Sequence, residues 1–192
     1  MFEELSLHIL DIAMNSLTAG ARIVQITVAE HARRDALTIR VQDDGRGMDE
    51  ATLERVRAAP VSTKRHRKKA IGLGLALLRQ TAEMCGGKFE VRSTPHRGTT
   101  VTASMKLSHM DRPPVGDLNA TILALCAASP AVDVQLHYLS DTEHFHFSSN
   151  EPARKKVASR PGQNSSGEEK TNYEPGRTKK IERKGAAAGC PA

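Results

Sequence analysis

This 192-residue chain has few cysteines and no long apolar run. Its three cysteines, Cys85, Cys126 and Cys190, are odd in number, widely spaced and without a CxxC pair, so neither a disulfide framework nor a zinc site is indicated. Apolar runs such as residues 71–78 fall well short of the roughly 18 residues that span a bilayer. The N-terminus, Met-Phe-Glu-Glu, is acidic where a signal peptide needs a cationic start. We therefore expect a cytoplasmic protein that has no membrane partner.

Most of the formal net charge of +6 comes from the C-terminal segment. Residues 149–192 hold ten of the 28 Lys and Arg residues but only five of the 22 Asp and Glu residues. Val157, Tyr173 and Ile181 are almost the only sizeable apolar residues of this segment. Because so little apolar surface can offset the entropy lost on ordering the chain, we predict a disordered basic tail. The rest of the chain is long enough for one domain with its own core.

Apolar spacing in the first 148 residues predicts an alternation of helices and strands. A helix over residues 4–19 precedes a hairpin that turns at residues 31–35. A short helix with Asp49 as its N-cap follows, and a longer helix ends at Gly86. The remaining predicted elements are strands 88–93 and 99–107, a helix 117–128, and a hairpin of strands 132–139 and 144–148. This order indicates an α+β fold.

Asp11 and Asn15 interrupt the apolar surface of the first helix. Their spacing of four places both on one face, where burial requires polar partners. Neither residue type favours a helix interior. Because Leu, Ile and Met residues surround them, we expect the two side chains to line a pocket rather than an open surface.

Two common phosphate-binding motifs do not describe this sequence. GxxxxGK[ST] does not occur, which excludes the standard P-loop. The segment Gly72-Leu-Gly74 lacks the third glycine of a dinucleotide fingerprint, because position 77 is Leu, and a charged loop precedes it. The glycine pairs therefore have to be interpreted together with the other motifs.

Four segments in a fixed order carry a family resemblance. They are DIAMNSLTAGA at 11–21, DDGRG at 43–47, GLGL at 72–75 and GTT at 98–100. They resemble the N box, the two glycine boxes and the final strand of the ATP-binding family that unites DNA gyrase B, the large heat-shock chaperone, histidine kinases and mismatch-repair ATPases. The resemblance covers roughly residues 5–107. It is closest to small stand-alone bacterial proteins that have a histidine-kinase-like domain.

The resemblance implies both a fold and a domain organisation. The fold is a Bergerat-type two-layer α/β sandwich, in which a mixed, mostly antiparallel sheet carries helices on one face. Residues 1–110 would form the histidine-kinase-like ATP-binding domain. Outside the range of the resemblance, the sequence pattern predicts that residues 111–148 add a helix and a β-hairpin and that residues 149–192 form the disordered tail.

The resemblance also implies roles for the site residues. Asp43 would accept a hydrogen bond from the exocyclic amine of adenine and so select adenine over guanine. Gly45 and Gly47 would let the backbone approach the base without a Cβ atom, and Thr99 would support the Asp43–adenine contact through water. Asn15 would place its carbonyl oxygen on a Mg²⁺ ion that bridges the phosphate oxygens.

The phosphates of ATP would lie against the second glycine box and a cationic loop. The N–H groups of a glycine-containing helix start face bound phosphates, and cationic side chains of the preceding loop can reach a polyphosphate. The implied contacts are Thr63, Lys64, Gly72, Leu73, Gly74 and Leu75.

Asp11 is the implied catalytic residue. Hydrolysing members of the family have a Glu here, which orients or deprotonates the attacking water. The Asp side chain is shorter by a methylene, about 1.5 Å, at a step where an ångström can cost about a hundredfold. Two interpretations carry equal weight: a general base, or a residue that only hydrogen-bonds the Mg²⁺ shell or a neighbour.

The resemblance favours an ATP- and Mg²⁺-binding regulatory kinase or ATP-gated switch that acts on an unidentified protein partner. Only about ten residues precede Asp11, and His8 is better explained as a structural histidine, so we do not expect autophosphorylation. Residues 117–148 are either the partner surface or a simple extension of the core. The alternative function is a nucleic-acid-associated ATPase of mismatch-repair type, for which the arguments are the N box, which resembles the mismatch-repair version, and the basic tail.

Overall fold

The computed structural model describes residues 4–58 and 73–151. Within these ranges, four α-helices cover one face of a six-stranded sheet. The helices are α1 (Leu5–Thr18), α2 (Glu50–Ala58), α3 (Leu73–Met84) and α4 (Leu118–Ala128). The strands are β1 (Ile23–His31), β2 (Ala36–Asp43), β3 (Lys88–Thr94), β4 (Gly98–Lys106), β5 (Asp133–Leu139) and β6 (His144–Ser148). Apart from its first three residues, the predicted tail lies outside the described ranges.

The strands are arranged in the order β3-β4-β2-β1-β5-β6. Neighbouring strands run antiparallel except β1 and β5, which are parallel. A parallel pair requires a crossover connection, and α4 lies within the segment that connects β4 to β5. The prediction of a mixed, mostly antiparallel sheet with helices on one face is confirmed.

Alternation along β1 separates the two faces of the sheet. Val24, Ile26 and Val28 are fully buried, whereas Gln25 and Thr27 are half-buried. Successive strand residues point to opposite faces, and α1 contacts β1 and β2. The valine and isoleucine side chains therefore form the core under the helices, and the polar ones occupy the face away from them.

The segment predicted as a C-terminal extension continues this sheet. β5 pairs with β1, and α4 packs against both α1 and β5. The backbone N–H groups of Leu5 and Ser6, at the start of α1, donate to the carbonyls of Pro114 and Val115. An α-helix leaves such N–H groups without an internal acceptor. Residues 114–148 thus share one core with the N-box helix.

Two predicted signals for helix ends are present in the structure. Oδ1 of Asp49 accepts a hydrogen bond from the N–H of Thr52 at 2.7 Å, which confirms it as the N-terminal cap of α2. Gly86 follows α3 with a φ of +71°, a conformation that favours glycine. No helix in the described ranges combines the length and apolarity that crossing a bilayer needs.

Candidate functional site

Asp43, the last residue of β2, is buried with 9% of its surface exposed. Its Oδ1 accepts hydrogen bonds from the backbone N–H groups of Gly45 at 2.9 Å and Thr99 at 3.2 Å. Its Oδ2 accepts one from Oγ of Ser16 at 2.7 Å. The helix α1, the turn after β2 and the strand β4 therefore converge on one buried carboxylate.

This carboxylate can still accept a further hydrogen bond. An ionised carboxylate offers about four lone-pair positions, and three are used by the donors in the described part of the chain. The fourth belongs to Oδ2. Because a buried acceptor without a donor is costly, and no further described residue donates here, this position suits an N–H donor; the contact of Asp43 with adenine stays a prediction.

Gly98 and Gly47 lie where only glycine fits. Their φ angles are +86° and +64°. A Cβ atom on Gly98 would lie 1.9 Å from the carbonyl oxygen of Asp43, and one on Gly47 would lie 2.0 Å from that of Thr94. The two glycines thus bring the DDGRG turn against the β3–β4 turn. The neighbour of Gly47 is protein backbone, so its approach to a base stays a prediction.

Thr99 reaches Asp43 through its backbone rather than its side chain. Its hydroxyl lies 2.9 Å from Oγ of Ser93. Ser93 also accepts from the N–H of Met48 at 2.8 Å and donates to the carbonyl of Gly98 at 3.0 Å. This network joins the two turns around Asp43. The support by the Thr99 side chain through water stays a prediction, and the direct backbone contact is a finding of the structure.

The polar residue of α1 that is buried against Asp43 is Ser16 rather than Asn15. Ser16 is 4% exposed and continues the stripe of Ile9 and Ile12, which faces the sheet. Asp11 is half-buried and Asn15 is exposed, contrary to the expectation that the apolar neighbours would leave no open surface. At 3.6 residues per turn, positions 11 and 15 fall beside this stripe. A serine on the apolar stripe was the signal that sequence reasoning missed.

Asp11 lies against the second glycine box. A Cβ atom on Gly74 would lie 1.7 Å from Oδ2 of Asp11, so the carboxylate rests directly on the first turn of α3. Burial raises the pKa of the Asp11 carboxyl group, because desolvation disfavours its charged form. The structure therefore brings together the two motifs that the sequence assigns to the phosphate end of the site.

The other predicted phosphate contacts are only partly described. Thr63, Lys64 and Gly72 lie outside the described ranges. Leu73 is the first residue of α3, and Leu75 is half-buried against the core. The proposed nucleotide contacts of these residues stay predictions.

Two unpredicted residues hold the DDGRG turn in place. Oδ1 of Asp44 accepts hydrogen bonds from the N–H groups of Arg22 and Ile23 at 2.7 and 2.8 Å. The guanidinium of Arg46 donates to the last carbonyls of α1, which the helix cannot satisfy internally. The last turn of α1 has no basic residue of its own. The two adjacent aspartates therefore differ in role, because Asp44 is structural.

The sheet order, the covering helices and the buried aspartate at the end of β2 define an ATPase-type nucleotide-binding domain. Residues 1–109 match the family described as histidine kinase-, DNA gyrase B- and HSP90-like ATPase. Because this match includes more than half of the chain, the protein belongs to that family. Membership implies that it binds ATP.

Bacterial proteins similar to this chain include a sporulation kinase and a sensor protein. The chain is 30% identical over 100 residues to sporulation kinase D of Bacillus subtilis. The aligned region covers 52% of this chain and 19% of the kinase. It is 39% identical over 89 residues to the sensor protein IrlS of Burkholderia pseudomallei. That aligned region covers 45% of this chain and 19% of IrlS. The chain thus spans about a fifth of the length of these relatives.

A solved structure supports the fold. The N-terminal domain of a DNA repair protein superposes with a TM-score of 0.51 over 77% of this chain and 52% of that chain, at 14% sequence identity. At this identity the likeness concerns the fold alone.

Proposed function

We propose that this protein binds ATP with its adenine on Asp43. The observation that carries the proposal is the buried carboxylate of Asp43, which three donors hold in place while no described residue donates to the second acceptor position on Oδ2. Adenine presents an amine donor where guanine presents a carbonyl. A fixed acceptor therefore favours adenine over guanine, because a carbonyl opposite a carboxylate would leave two acceptors unpaired.

The phosphate end of the proposed site has residues that fit Mg²⁺. Asn15 is exposed one helical turn from Asp11, and no described residue hydrogen-bonds its carboxamide. Carboxamide and carboxylate oxygens are ligands that Mg²⁺ accepts, usually together with substrate phosphates and water. Bound there, Mg²⁺ would neutralise phosphate charge. Asn15 is the proposed ligand.

Asp11 is the proposed catalytic residue. It lies against Gly74 at the start of α3, where a helix N-terminus favours bound phosphate. Its raised pKa moves the carboxyl group toward the range in which a general base works well. Thr63, Lys64, Gly72, Leu73 and Leu75 are proposed to complete the phosphate contacts.

We propose that nucleotide binding controls a protein partner in the cytoplasm, as a regulatory kinase or an ATP-gated switch. α1 carries Asp11, Asn15 and Ser16, and it contacts both α3 and α4. A shift of α1 on nucleotide binding would therefore reach α4 and β5. Residues 117–148 bury one side in the core, and we propose their exposed side as the partner surface on this ground.

Thermal unfolding tests the nucleotide site. With Mg-ATP at about a hundred times its Kd, we expect the Tm of the wild type to rise by about 5–10 °C. Asp43→Asn should remove this rise. Its Oδ1 can still accept from Gly45 and Thr99, whereas an NH₂ group replaces the acceptor at Oδ2.

Asp44→Asn is the matched control. Its Oδ1 can keep both hydrogen bonds to Arg22 and Ile23, so the Mg-ATP response should persist. An undiminished rise in Asp43→Asn would remove the assignment of the adenine site.

Labelled nucleotide separates the kinase from the switch. The protein is incubated with γ-labelled ATP and a cell lysate, and labelled proteins and released phosphate are measured. A discrete labelled protein that is lost with Asp43→Asn supports the kinase. Slow phosphate release without a labelled protein supports the switch. If no protein is labelled and no phosphate is released, both forms of the proposal are contradicted.

A further inference from the structure

The face of the sheet away from the helices carries a pair of histidines. His137 of β5 lies opposite Thr27 of β1, on the face that β1 turns away from the core. His146 of β6 is the direct antiparallel partner of His137. Asp43 pairs with Val24, whose side chain faces the helices. The histidine pair and the nucleotide site therefore lie on opposite faces of the sheet.

The two imidazole rings are close and differently oriented. Their centroids are 4.5 Å apart and their planes are inclined by 46°. His146 is exposed and His137 is half-buried, so an ion from solvent can approach both. Directly opposed residues of antiparallel strands hold their side chains at short and fixed separation.

Gln25 contacts one of the rings. Its side-chain amide nitrogen lies 3.1 Å from Nε2 of His137. The same nitrogen donates to Oε1 of Gln135 at 3.4 Å, and Gln135 is held in this orientation because its own amide nitrogen donates to Oδ2 of Asp133. Gln25 therefore presents an N–H group to Nε2 of His137, which accepts and carries the lone pair of the neutral ring. A metal ion that binds this lone pair takes the place of the hydrogen bond from Gln25.

The surroundings favour the neutral form of His137. Burial, and then the neighbouring His146, lower the pKa of His137. Neutral imidazole is the form that binds metal ions.

We propose that His137 and His146 form a bidentate site for a divalent transition metal such as Ni²⁺, Cu²⁺ or Zn²⁺. Imidazole nitrogen suits these ions, whereas Mg²⁺ prefers oxygen ligands. The described residues contain no group of three or more His, Cys, Asp or Glu side chains arranged to hold a metal. Water completes the coordination. The bound ion connects β5 to the edge strand β6 without occupying the nucleotide site.

Calorimetric titration with nickel chloride tests the site on the full, untagged chain at pH 7.5. Nickel is chosen because the cysteine thiolates compete more strongly for zinc. We expect saturable binding to the wild type, with affinity at least about tenfold lower in His137→Gln and in His146→Gln. His31→Gln, which removes another exposed imidazole, should bind like the wild type. The nickel affinity should be the same with and without Mg-ATP.

Nuclear magnetic resonance supplies a second readout. Paramagnetic Ni²⁺ should broaden the ring signals of His137 and His146 before those of the other histidines, while the circular dichroism of each variant shows that it is folded. Equal nickel affinity in the pair variants and the wild type would overturn the proposal. So would a wild type that shows no saturable binding up to millimolar nickel, or first broadening at other histidines.

Discussion

Oγ of Ser16 donates a 2.7 Å hydrogen bond to Oδ2 of Asp43, which lies 27 positions later in the chain. The bond joins the N-box helix α1 to the carboxylate that we assign to adenine. Ser16 directly follows Asn15, the proposed Mg²⁺ ligand. Through this bond, the residues proposed for the base and for the metal are held by the same turn of one helix.

Ser16→Ala is expected to weaken both the fold and the nucleotide site. A hydrogen bond to a charged group contributes about 1.5–3 kcal/mol to stability, and the free energy of unfolding should fall by about that amount. Because Asp43 loses one of its three donors, the Kd for Mg-ATP should rise about tenfold, which corresponds to about 1.4 kcal/mol. Denaturant unfolding and calorimetry measure the two effects.

Ser6→Ala is the control for this substitution. Ser6 is also a buried serine of α1, but its hydroxyl donates to Glu4 at the start of the helix. Its removal should leave the affinity for Mg-ATP unchanged. Equal affinities in Ser16→Ala and the wild type would show that the bond to Asp43 does not position the adenine acceptor.

Gly98→Ala is expected to be far more destabilising than Gly20→Ala. Both glycines have positive φ angles, +86° and +76°. A Cβ atom at Gly20 meets nothing within 4 Å, whereas one at Gly98 would lie 1.9 Å from the carbonyl oxygen of Asp43. Gly20→Ala should therefore cost about 1–2 kcal/mol from backbone strain alone. Gly98→Ala should cost more than about 4 kcal/mol.

Chemical denaturation of the two glycine variants measures this difference. A Gly98→Ala variant that loses no more stability than Gly20→Ala would show that the β3–β4 turn can move away from Asp43. In that case the close approach would not define the site.

Local signals in the sequence predicted the helices and strands well, but they could not predict which distant segments contact each other. Asp49 caps α2 and Gly86 ends α3 because both act on neighbouring backbone groups. The parallel pairing of β5 with β1 depends on how the segment after β4 crosses back over the sheet. Sequence periodicity carries no information on this choice. The strand pattern alone would allow β5 to pair with a strand at either edge of the sheet.

The candidate site shows the same division. The order of the motifs predicted Asp43 as a site residue, and the structure places its carboxylate among three hydrogen-bond donors. The structure assigned Ser16 to that cluster and Asp44 to the start of β1, because these roles depend on which backbone groups meet in space. Asp43 and Asp44 are identical in side chain and adjacent in sequence, so composition could not separate them.

His8 is expected to make the protein less stable in mild acid. It is 1% exposed, and burial lowers its pKa to about 4 from the ordinary value of 6.5. The unfolded chain therefore binds a proton between these pH values while the folded protein does not. The free energy of unfolding should decrease as the pH falls from 6.5 to about 4, by about 3 kcal/mol in total.

Urea unfolding at several pH values checks this effect. His8→Leu should lose most of the decrease, and His31→Gln, which removes an exposed histidine, should retain it. A decrease that is equally steep in His8→Leu would assign the acid sensitivity to other groups.

Asp11→Asn should separate stability from catalysis. Because burial raises the pKa of Asp11, the folded protein binds the carboxyl proton more tightly than the unfolded chain does. The free energy of unfolding therefore falls as the pH rises from the ordinary pKa of 3.8 through the raised pKa of the folded protein. The neutral amide should therefore make the protein without nucleotide more stable at pH 7.

If Asp11 is the general base, ATP turnover of Asp11→Asn should fall about 10²- to 10⁴-fold while Mg-ATP still binds. Asp111→Asn, which removes a 70% exposed carboxylate, should change neither quantity. Unchanged turnover in Asp11→Asn would leave Asp11 only a hydrogen-bonding role.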